Sequence, residues 1–154
     1  MREEPSILLF RGRGFISRLI RWQTRSQYSH AAIMLPCGRV LEAWQGEGVR
    51  IKWLRDWCDV ERFRVTGMTP EQWSTAIAFA RAQIGKRYDY RGVIRFLSRH
   101  KHPRDDRWFC SELVFASLAA AGVKLLMSVD IGEVSPGMLA YSHRLEPYDK
   151  RPTP

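Results

Sequence analysis

Residues 108–114 read Trp-Phe-Cys-Ser-Glu-Leu-Val and place Cys110 at the first turn of an apolar helix. Small and apolar residues continue at helical spacing as far as Gly122, which is placed to end the helix. A helix start directs unpaired backbone N–H groups and a partial positive charge at the sulfur, which favours thiolate over thiol. The stretch therefore predicts a nucleophilic cysteine at the start of a helix over residues 110–121.

A histidine and a glutamate in two candidate strands complete the chemistry that a thiol nucleophile needs. His30 lies in the apolar run 28–35, and Glu42 lies in the run 39–44. In a hairpin, the two side chains can be cross-strand neighbours on one face. Burying either group among apolar residues is unfavourable unless it finds a partner. We expect a nucleophile in Cys110, a base in His30 and an orienting carboxylate in Glu42.

The remaining pattern predicts an α+β fold with a central antiparallel sheet packed against the helix that carries Cys110. Apolar runs and alternation predict a mid-sheet strand at residues 6–10 and an antiparallel meander of four strands. The predicted meander strands are residues 28–35, 39–44, 48–57 and 60–65.

The residues outside the predicted strands carry signals for helices, a turn and a loop. The Thr69-Pro70-Glu71-Gln72 capping sequence predicts a helix that runs to Gly85. The other predicted features are a basic amphipathic helix at residues 15–25, a turn at 87–92, short helices at 93–97 and 135–140, and a polar loop at 98–107.

Composition is typical of one compact domain. With 154 residues and 45% hydrophobic content, we expect a single domain over residues 1–154, with its core at about 6–145 and a frayed tail after 148. The net charge of +9 favours anionic partners. The candidate contacts for an anionic surface are Arg13, Arg18, Arg21 and Arg25. Nucleic acid is disfavoured, because Trp22 is the single aromatic residue placed among these charges.

Cysteine usage and hydropathy give further expectations. The three cysteines form no Cys-x-x-Cys pair, so we expect reduced thiols, with Cys37 and Cys58 structural or incidental. His100 and His102 have no convincing further ligands, so no metal and no cofactor is expected. The sequence has no transmembrane run and no signal-peptide core, which predicts a cytoplasmic protein unless another route releases it.

The order of these motifs resembles a known family. Ser29-His30, Leu41-Glu42-Ala43, Tyr88-Asp89-Tyr90 and then residues 109–114 are similar to motifs of the permuted papain-like amidases, the YiiX-like relatives of NlpC-type cysteine peptidases. In the unpermuted relatives the cysteine helix precedes the histidine strand, whereas here the order is His, Glu, Cys. The resemblance covers about residues 6 to 145 and implies a circularly permuted papain-like fold.

The resemblance also implies roles for individual residues. Cys110, His30 and Glu42 match the family's catalytic triad, and Tyr88 matches a tyrosine that helps hold the developing oxyanion. Tyr90 could take the place of Tyr88. The backbone N–H of Cys110 would be the second oxyanion donor.

Three functions are compatible with these features. The leading hypothesis is a cysteine-dependent hydrolase that cleaves an amide, peptide or N-acyl, through a thioester; its substrate would be a peptide or a cell-wall fragment. The second is a lipid acyltransferase or phospholipase-type acyl hydrolase acting on a lipid-like acyl substrate. The third is a non-catalytic basic protein that binds an anion or a lipid. A fold alone does not choose among them.

Overall fold

A computed structural model describes residues 4–54, 59–95 and 106–148. Five helices and eight strands are assigned within these ranges, together with 3₁₀ turns at Pro36–Gly38 and Ile131–Glu133. The helices are α1 (Phe15–Thr24), α2 (Pro70–Ala82), α3 (Tyr90–Arg95), α4 (Cys110–Ala120) and α5 (Pro136–Leu139). The strands are β1 (Ser6–Phe10), β2 (His30–Leu35), β3 (Arg39–Trp44), β4 (Gly48–Trp53), β5 (Val60–Val65), β6 (Arg87–Tyr88), β7 (Arg107–Trp108) and β8 (Leu145–Pro147).

The main sheet has six antiparallel strands in the order β4-β3-β2-β1-β5-β8. β1 lies mid-sheet between β2 and β5, and all five of its residues are buried. This agrees with its unbroken apolar sequence, because a strand covered on both faces needs no polar alternation. β6 and β7 form a separate parallel pair. The α+β architecture with a central antiparallel sheet is therefore confirmed.

Helix α4 packs against one face of the sheet. Its residues from Cys110 to Leu118 are all buried, and Leu113, Val114 and Leu118 share one apolar cluster with Ile7, Leu9, Ile33 and Leu41. The opposite face carries a smaller cluster of Leu8, Phe10, Ala32 and Val40. Burial all round explains why the helix sequence is apolar on every side.

Helix α2 begins as its capping sequence predicts. The Thr69 side chain accepts a hydrogen bond from the Gln72 N–H (3.2 Å), and the Gln72 side chain accepts one from the Thr69 N–H (3.0 Å). This reciprocal pair satisfies two backbone donors that the helix itself leaves without partners. The helix ends at Ala82, whereas the sequence predicted that it runs to Gly85.

The predicted four-stranded meander is wrong for its last strand. β2, β3 and β4 are consecutive neighbours, but β5 pairs with the edge of β1 that faces away from β2. In that pairing Leu8 lies opposite Arg62. β1 is a buried strand whose backbone groups need partners on both edges, and β5 supplies the second set. Strand β4 ends at Trp53, so Leu54 is not part of it, and residues 55–58 lie outside the described ranges.

Three short strands were not predicted. The predicted turn at residues 87–92 contains β6 and the start of α3, and the predicted loop at 98–107 ends in β7, with residues 98–105 outside the described ranges. β8 pairs with β5 at the sheet edge, and the tail after Tyr148 lies outside the described ranges. Strands of two or three residues are too short to show a hydrophobic period.

In the ranges that the structure describes, no helix combines the length and the apolar character that a membrane crossing needs.

Candidate active site

Cys110 is the first residue of α4 and is 1% exposed. Phe109 precedes it in an extended conformation, and the Phe109 N–H donates a hydrogen bond to Oε2 of Glu112 (3.2 Å). The backbone therefore turns into the helix at the cysteine. The Cys110 N–H is one of the first helical donors, which have no partner within the helix.

His30 is the first residue of β2 and contacts both other members of the predicted triad. Its Nε2 lies 2.7 Å from Oε2 of Glu42, and its ring is hydrogen-bonded to the side chain of Cys110. Because Nε2 is bonded to the carboxylate, we infer that Nδ1 faces the sulfur. The histidine thus bridges the carboxylate and the thiol, which is the arrangement that a thiol nucleophile with an oriented base requires.

The three side chains meet at the end of the sheet. His30 lies opposite Phe10 in the β1–β2 register, and Phe10 belongs to the small apolar cluster on the face opposite α4. The ring reaches Cys110 because His30 begins its strand, next to the start of the helix. The sequence predicted that His30 and Glu42 share a face and that the sheet presents both to the helix that carries Cys110.

The electrostatics of His30 favour the imidazolium form. Burial by itself would lower the pKa of the ring, but the interactions with Cys110 and with Glu42 outweigh burial and raise the pKa to about 9. The charged ring is therefore stabilised by a sulfur on one side and a carboxylate on the other.

Glu42 is held by an arginine that the sequence analysis did not select. Nε and one terminal nitrogen of Arg50 lie 3.0 and 2.9 Å from Oε1 of Glu42, and Arg50 also pairs with Glu47. Burial would raise the pKa of Glu42, but the hydrogen bonds from His30 and Arg50 outweigh it and lower the pKa. Arg50 lies directly opposite Glu42 in the β3–β4 register, so a sequence reading that aligned these strands could have found it.

Trp44 is a second residue that the sequence analysis did not assign to the site. Its ring stands edge-on to the His30 ring at a centroid distance of 5.1 Å. The Arg50 guanidinium lies 5.0 Å from the centroid of the same indole. Phe10 packs against the imidazole at 5.2 Å. These rings restrict the imidazole to one orientation.

Of the two candidate tyrosines, Tyr88 lies at the site. It is 6% exposed, whereas Tyr90 is 47% exposed. Burial, followed by electrostatic interaction with Cys110 and other neighbours, raises the pKa of Tyr88 well above its usual value. The phenol is therefore a hydrogen-bond donor throughout the neutral range.

The backbone around Tyr88 explains its position. Tyr88 pairs with Trp108, two residues before the cysteine, in the β6–β7 pair. The start of β4 anchors the same segment, since the Val49 N–H donates to the Lys86 carbonyl (2.9 Å). Gly48 permits this approach, because an added Cβ would lie 2.2 Å from the Lys86 oxygen.

A pocket opens beside the imidazole. Helix α1 forms one wall, and the end of β3 forms another. Its lining residues are Ile16, Ser17, Ile20, Ser29, His30, Ala43, Trp44, Gln45 and Tyr88. His30 and Tyr88 line this pocket, whereas Cys110 is almost fully buried.

The arginines predicted for anionic contact differ in their surroundings. Arg13 pairs with Asp59 (2.9 Å), Arg21 is half-buried, and Arg18 and Arg25 are exposed. The other predicted side chains, those of Cys37, Cys58, His100 and His102, lie outside the described part of the structure.

The sheet, the buried cysteine at a helix start and the histidine that precedes it in sequence define a permuted papain-like domain. The chain belongs to the family described as "Permuted papain-like amidase enzyme, YaeF/YiiX, C92 family", whose model matches residues 6–133. This confirms the family and the fold class that the motif order predicted.

Two relatives are similar over most of the chain. The sequence is 30% identical over 174 aligned positions to the "Probable lipoprotein peptidase YaeF" of Escherichia coli K12, covering 90% of this chain and 63% of that protein. The chain thus spans less than two thirds of the length of that relative. The crystal structure of "metalloprotein yiiX" from Escherichia coli O157:H7 superposes with a TM-score of 0.75 at 22% identity, covering 97% of each chain.

The yiiX structure is described as that of a metalloprotein. In the present protein, the described residues contain no group of three or more His, Cys, Asp and Glu side chains arranged to hold an ion. His30 and Glu42 are already bonded to each other, and Glu42 is also bonded to Arg50, a cation that disfavours a metal beside it. Among the residues that the structure describes, those at this site do not fit a metal centre.

Proposed function

We propose that the protein is a cysteine-dependent hydrolase that cleaves an amide, peptide or N-acyl, through Cys110, His30 and Glu42. The observation that carries the proposal is the position of His30, whose ring is bonded to the Glu42 carboxylate at 2.7 Å and to the Cys110 thiol. Membership of a family of amidases supports the choice of amide bonds over other acyl compounds.

The first half of the reaction forms a thioester. The Cys110 sulfur, as thiolate, bonds to the substrate carbonyl carbon, and the carbonyl π electrons move to oxygen. The Tyr88 hydroxyl and the Cys110 N–H donate hydrogen bonds to this oxyanion. When the tetrahedral intermediate collapses, the C–N bond breaks and the imidazolium of His30 gives its proton to the departing amine.

The second half regenerates the enzyme. The neutral His30 ring takes a proton from water, and the resulting hydroxide adds to the thioester carbonyl. The C–S bond then breaks, which releases a carboxylic acid and restores the thiolate beside the imidazolium. Glu42, fixed by Arg50, holds the ring in one tautomer throughout.

The proposal is tested by cysteine reactivity. Iodoacetamide at pH 6–7 is expected to alkylate Cys110 in preference to Cys37 and Cys58, and His30→Ala is expected to abolish that preference. Peptide mass spectrometry measures each site, and His143→Ala, a change at an exposed histidine, is the matched control. Equal slow labelling of all three cysteines would contradict the proposal.

A lipid acyl hydrolase or acyltransferase is the second candidate, and the pocket beside His30 supports it. Ile16, Ile20, Ala43 and Trp44 give that pocket an apolar wall, which an acyl chain would contact. The two functions are separated by measuring kcat/KM for N-acyl amides and for acyl esters of the same chain length. A higher value for the amides supports the amide hydrolase, and a higher value for the esters supports the lipid acyl hydrolase. A purely binding function would instead leave ligand affinity unchanged in Cys110→Ser and produce no turnover of either substrate.

A further inference from the structure

The exposed face of α1 carries aromatic and basic side chains together. Phe15 is 82% exposed and Trp22 is 71% exposed, although most large apolar side chains in the described ranges are buried. Arg18 is exposed between them in the helix sequence, and Arg25 is exposed at the helix end. We call these four residues the α1 face.

The spacing places these residues on one side of the helix. Phe15, Arg18 and Trp22 are separated by three and four residues, the spacing at which helical side chains are neighbours. Ile20, on the opposite side of the helix, is 2% exposed and packs in the main core. The exposed aromatics are therefore a consequence of how α1 docks on the sheet, and rotating the helix would bury them only by exposing Ile20.

The charge of the α1 face is of one sign. No acidic residue occurs in α1, and the chain as a whole has a net charge of +9. Arg13, just before the helix, is paired with Asp59, whereas the side chains of Arg18 and Arg25 make no ion pair among the described residues. An anionic surface can therefore meet both guanidinium groups without displacing an internal partner.

We propose that the α1 face docks the protein on anionic phospholipid bilayers. Phe15 and Trp22 enter the interfacial region, where amphipathic aromatic rings are stabilised, and Arg18 and Arg25 pair with headgroup phosphates. Two aromatic side chains and two arginines suit a reversible peripheral contact, since each arginine near an anionic surface strengthens binding about fivefold.

The location of the α1 face bears on the candidate active site. Ile16 and Ile20 of the same helix line the pocket beside His30. Docking through α1 would therefore place that pocket across the helix from the bilayer surface. The docking itself is independent of the proposed hydrolase activity, because it involves none of the triad residues.

Vesicle sedimentation tests the proposal on the full chain. Binding is expected to vesicles of phosphatidylcholine mixed with phosphatidylglycerol, and to weaken strongly with phosphatidylcholine alone or at raised salt. The double variant Phe15→Ala/Trp22→Ala is expected to bind the mixed vesicles at least about tenfold more weakly. Arg18→Glu and Arg25→Glu should each weaken binding by roughly fivefold or more.

Matched variants elsewhere serve as controls. Tyr141 is 87% exposed, and Arg81 is exposed in the last turn of α2, so Tyr141→Ala and Arg81→Glu should leave vesicle binding unchanged. Circular dichroism confirms that each variant is folded. The Phe15/Trp22 double variant is also assayed for hydrolysis of a soluble substrate. Because it changes no triad residue, hydrolysis should be retained when vesicle binding is lost, so failure of the docking proposal and failure of the hydrolase proposal are distinguishable.

Two results would overturn the proposal. One is the absence of binding to mixed vesicles at low salt. The other is binding that needs Arg18 and Arg25 but survives Phe15→Ala/Trp22→Ala, with equal affinity for a single-stranded oligonucleotide. That pattern would mark the α1 face as a general polyanion surface.

Discussion

At the scale of single residues, His30 joins groups from two other elements. Its ring contacts the Cys110 thiol at the start of α4, the Glu42 carboxylate on β3, and the indole of Trp44. Arg50 of β4 neutralises the far oxygen of the carboxylate. Arg50, Glu42 and His30 therefore form a chain of alternating charge that ends at the Cys110 thiol, and each group in it depends on its neighbours.

The charged ring makes stability depend on pH. The folded pKa of His30 is about 9 and lies above the ordinary value of 6.5, so its contribution is full below pH 6.5 and is lost as pH rises to about 9. Urea unfolding at a series of pH values should show this decline, and His30→Gln should remove it. His143→Gln, a change at an exposed histidine, should keep the wild-type slope; a slope unaffected by His30→Gln would contradict the assignment.

Arg50 is expected to act by positioning Glu42. In Arg50→Gln, the carboxylate loses two hydrogen bonds, and the His30 ring loses its fixed orientation. We expect kcat to fall by up to about 100-fold with little change in KM, and the alkaline limb of the pH profile to move. Arg64→Gln, which removes an exposed pairing with Glu146, is the control and should leave both unchanged. An unaltered pH profile in Arg50→Gln would argue against positioning.

Tyr88 and Tyr90 offer a direct comparison of two adjacent hydroxyls. Tyr88→Phe removes the buried donor beside Cys110 and is expected to lower kcat by about 100- to 1,000-fold. Tyr90→Phe changes an exposed ring and should have little effect. Steady-state kinetics on one amide substrate measures both. The reverse result would assign the oxyanion role to Tyr90.

At the scale of elements, the β4–β6 contact positions Tyr88. The Lys86 carbonyl accepts the Val49 N–H, and the Val49 carbonyl accepts the Gly85 N–H at 3.0 Å. These two bonds fix the segment that leads into β6. The approach requires a residue without a side chain at position 48, which also has a positive φ of 76°.

Gly48→Ala and Gly46→Ala separate the effect of a positive φ from the effect of the close contact with the Lys86 oxygen. Both positions have positive φ, so each alanine should cost about 1–2 kcal/mol of backbone strain. Only the Cβ at position 48 would collide with the Lys86 oxygen, whereas nothing lies within 4 Å at position 46. We expect a larger loss of unfolding free energy and a loss of activity for Gly48→Ala alone. Equal effects in thermal unfolding and kinetics would contradict this.

At the scale of the whole molecule, α4 links the core to the site. Leu118 is fully buried within the main apolar cluster, two turns from the cysteine. Leu118→Ala should lower the unfolding free energy by about 2–5 kcal/mol, because the cavity cannot collapse fully. Met127→Ala, at a side chain that is 69% exposed, is the control and should cost less than about 0.5 kcal/mol. A small effect of Leu118→Ala in urea unfolding would mean that this part of the core is loosely packed.

The sequence by itself determined the elements whose signals are local. Three local signals predicted α2, β1 and α4 to within a few residues. They are the capping sequence at Thr69, the unbroken apolar run of β1 and the helix-ending Gly122. The candidate site residues could also be named, because a cysteine at a helix start and a histidine in an apolar strand are unusual in their local context.

Tertiary structure alone decided which strands pair and which side chains support the site. The pairing of β5 with β1 and the parallel β6–β7 pair join segments that no periodicity connects. Hydrophobic periods report which face of an element is buried, but not which neighbour buries it, because pairing is settled by competition among distant backbone groups for partners. The position of Tyr88 follows from that competition.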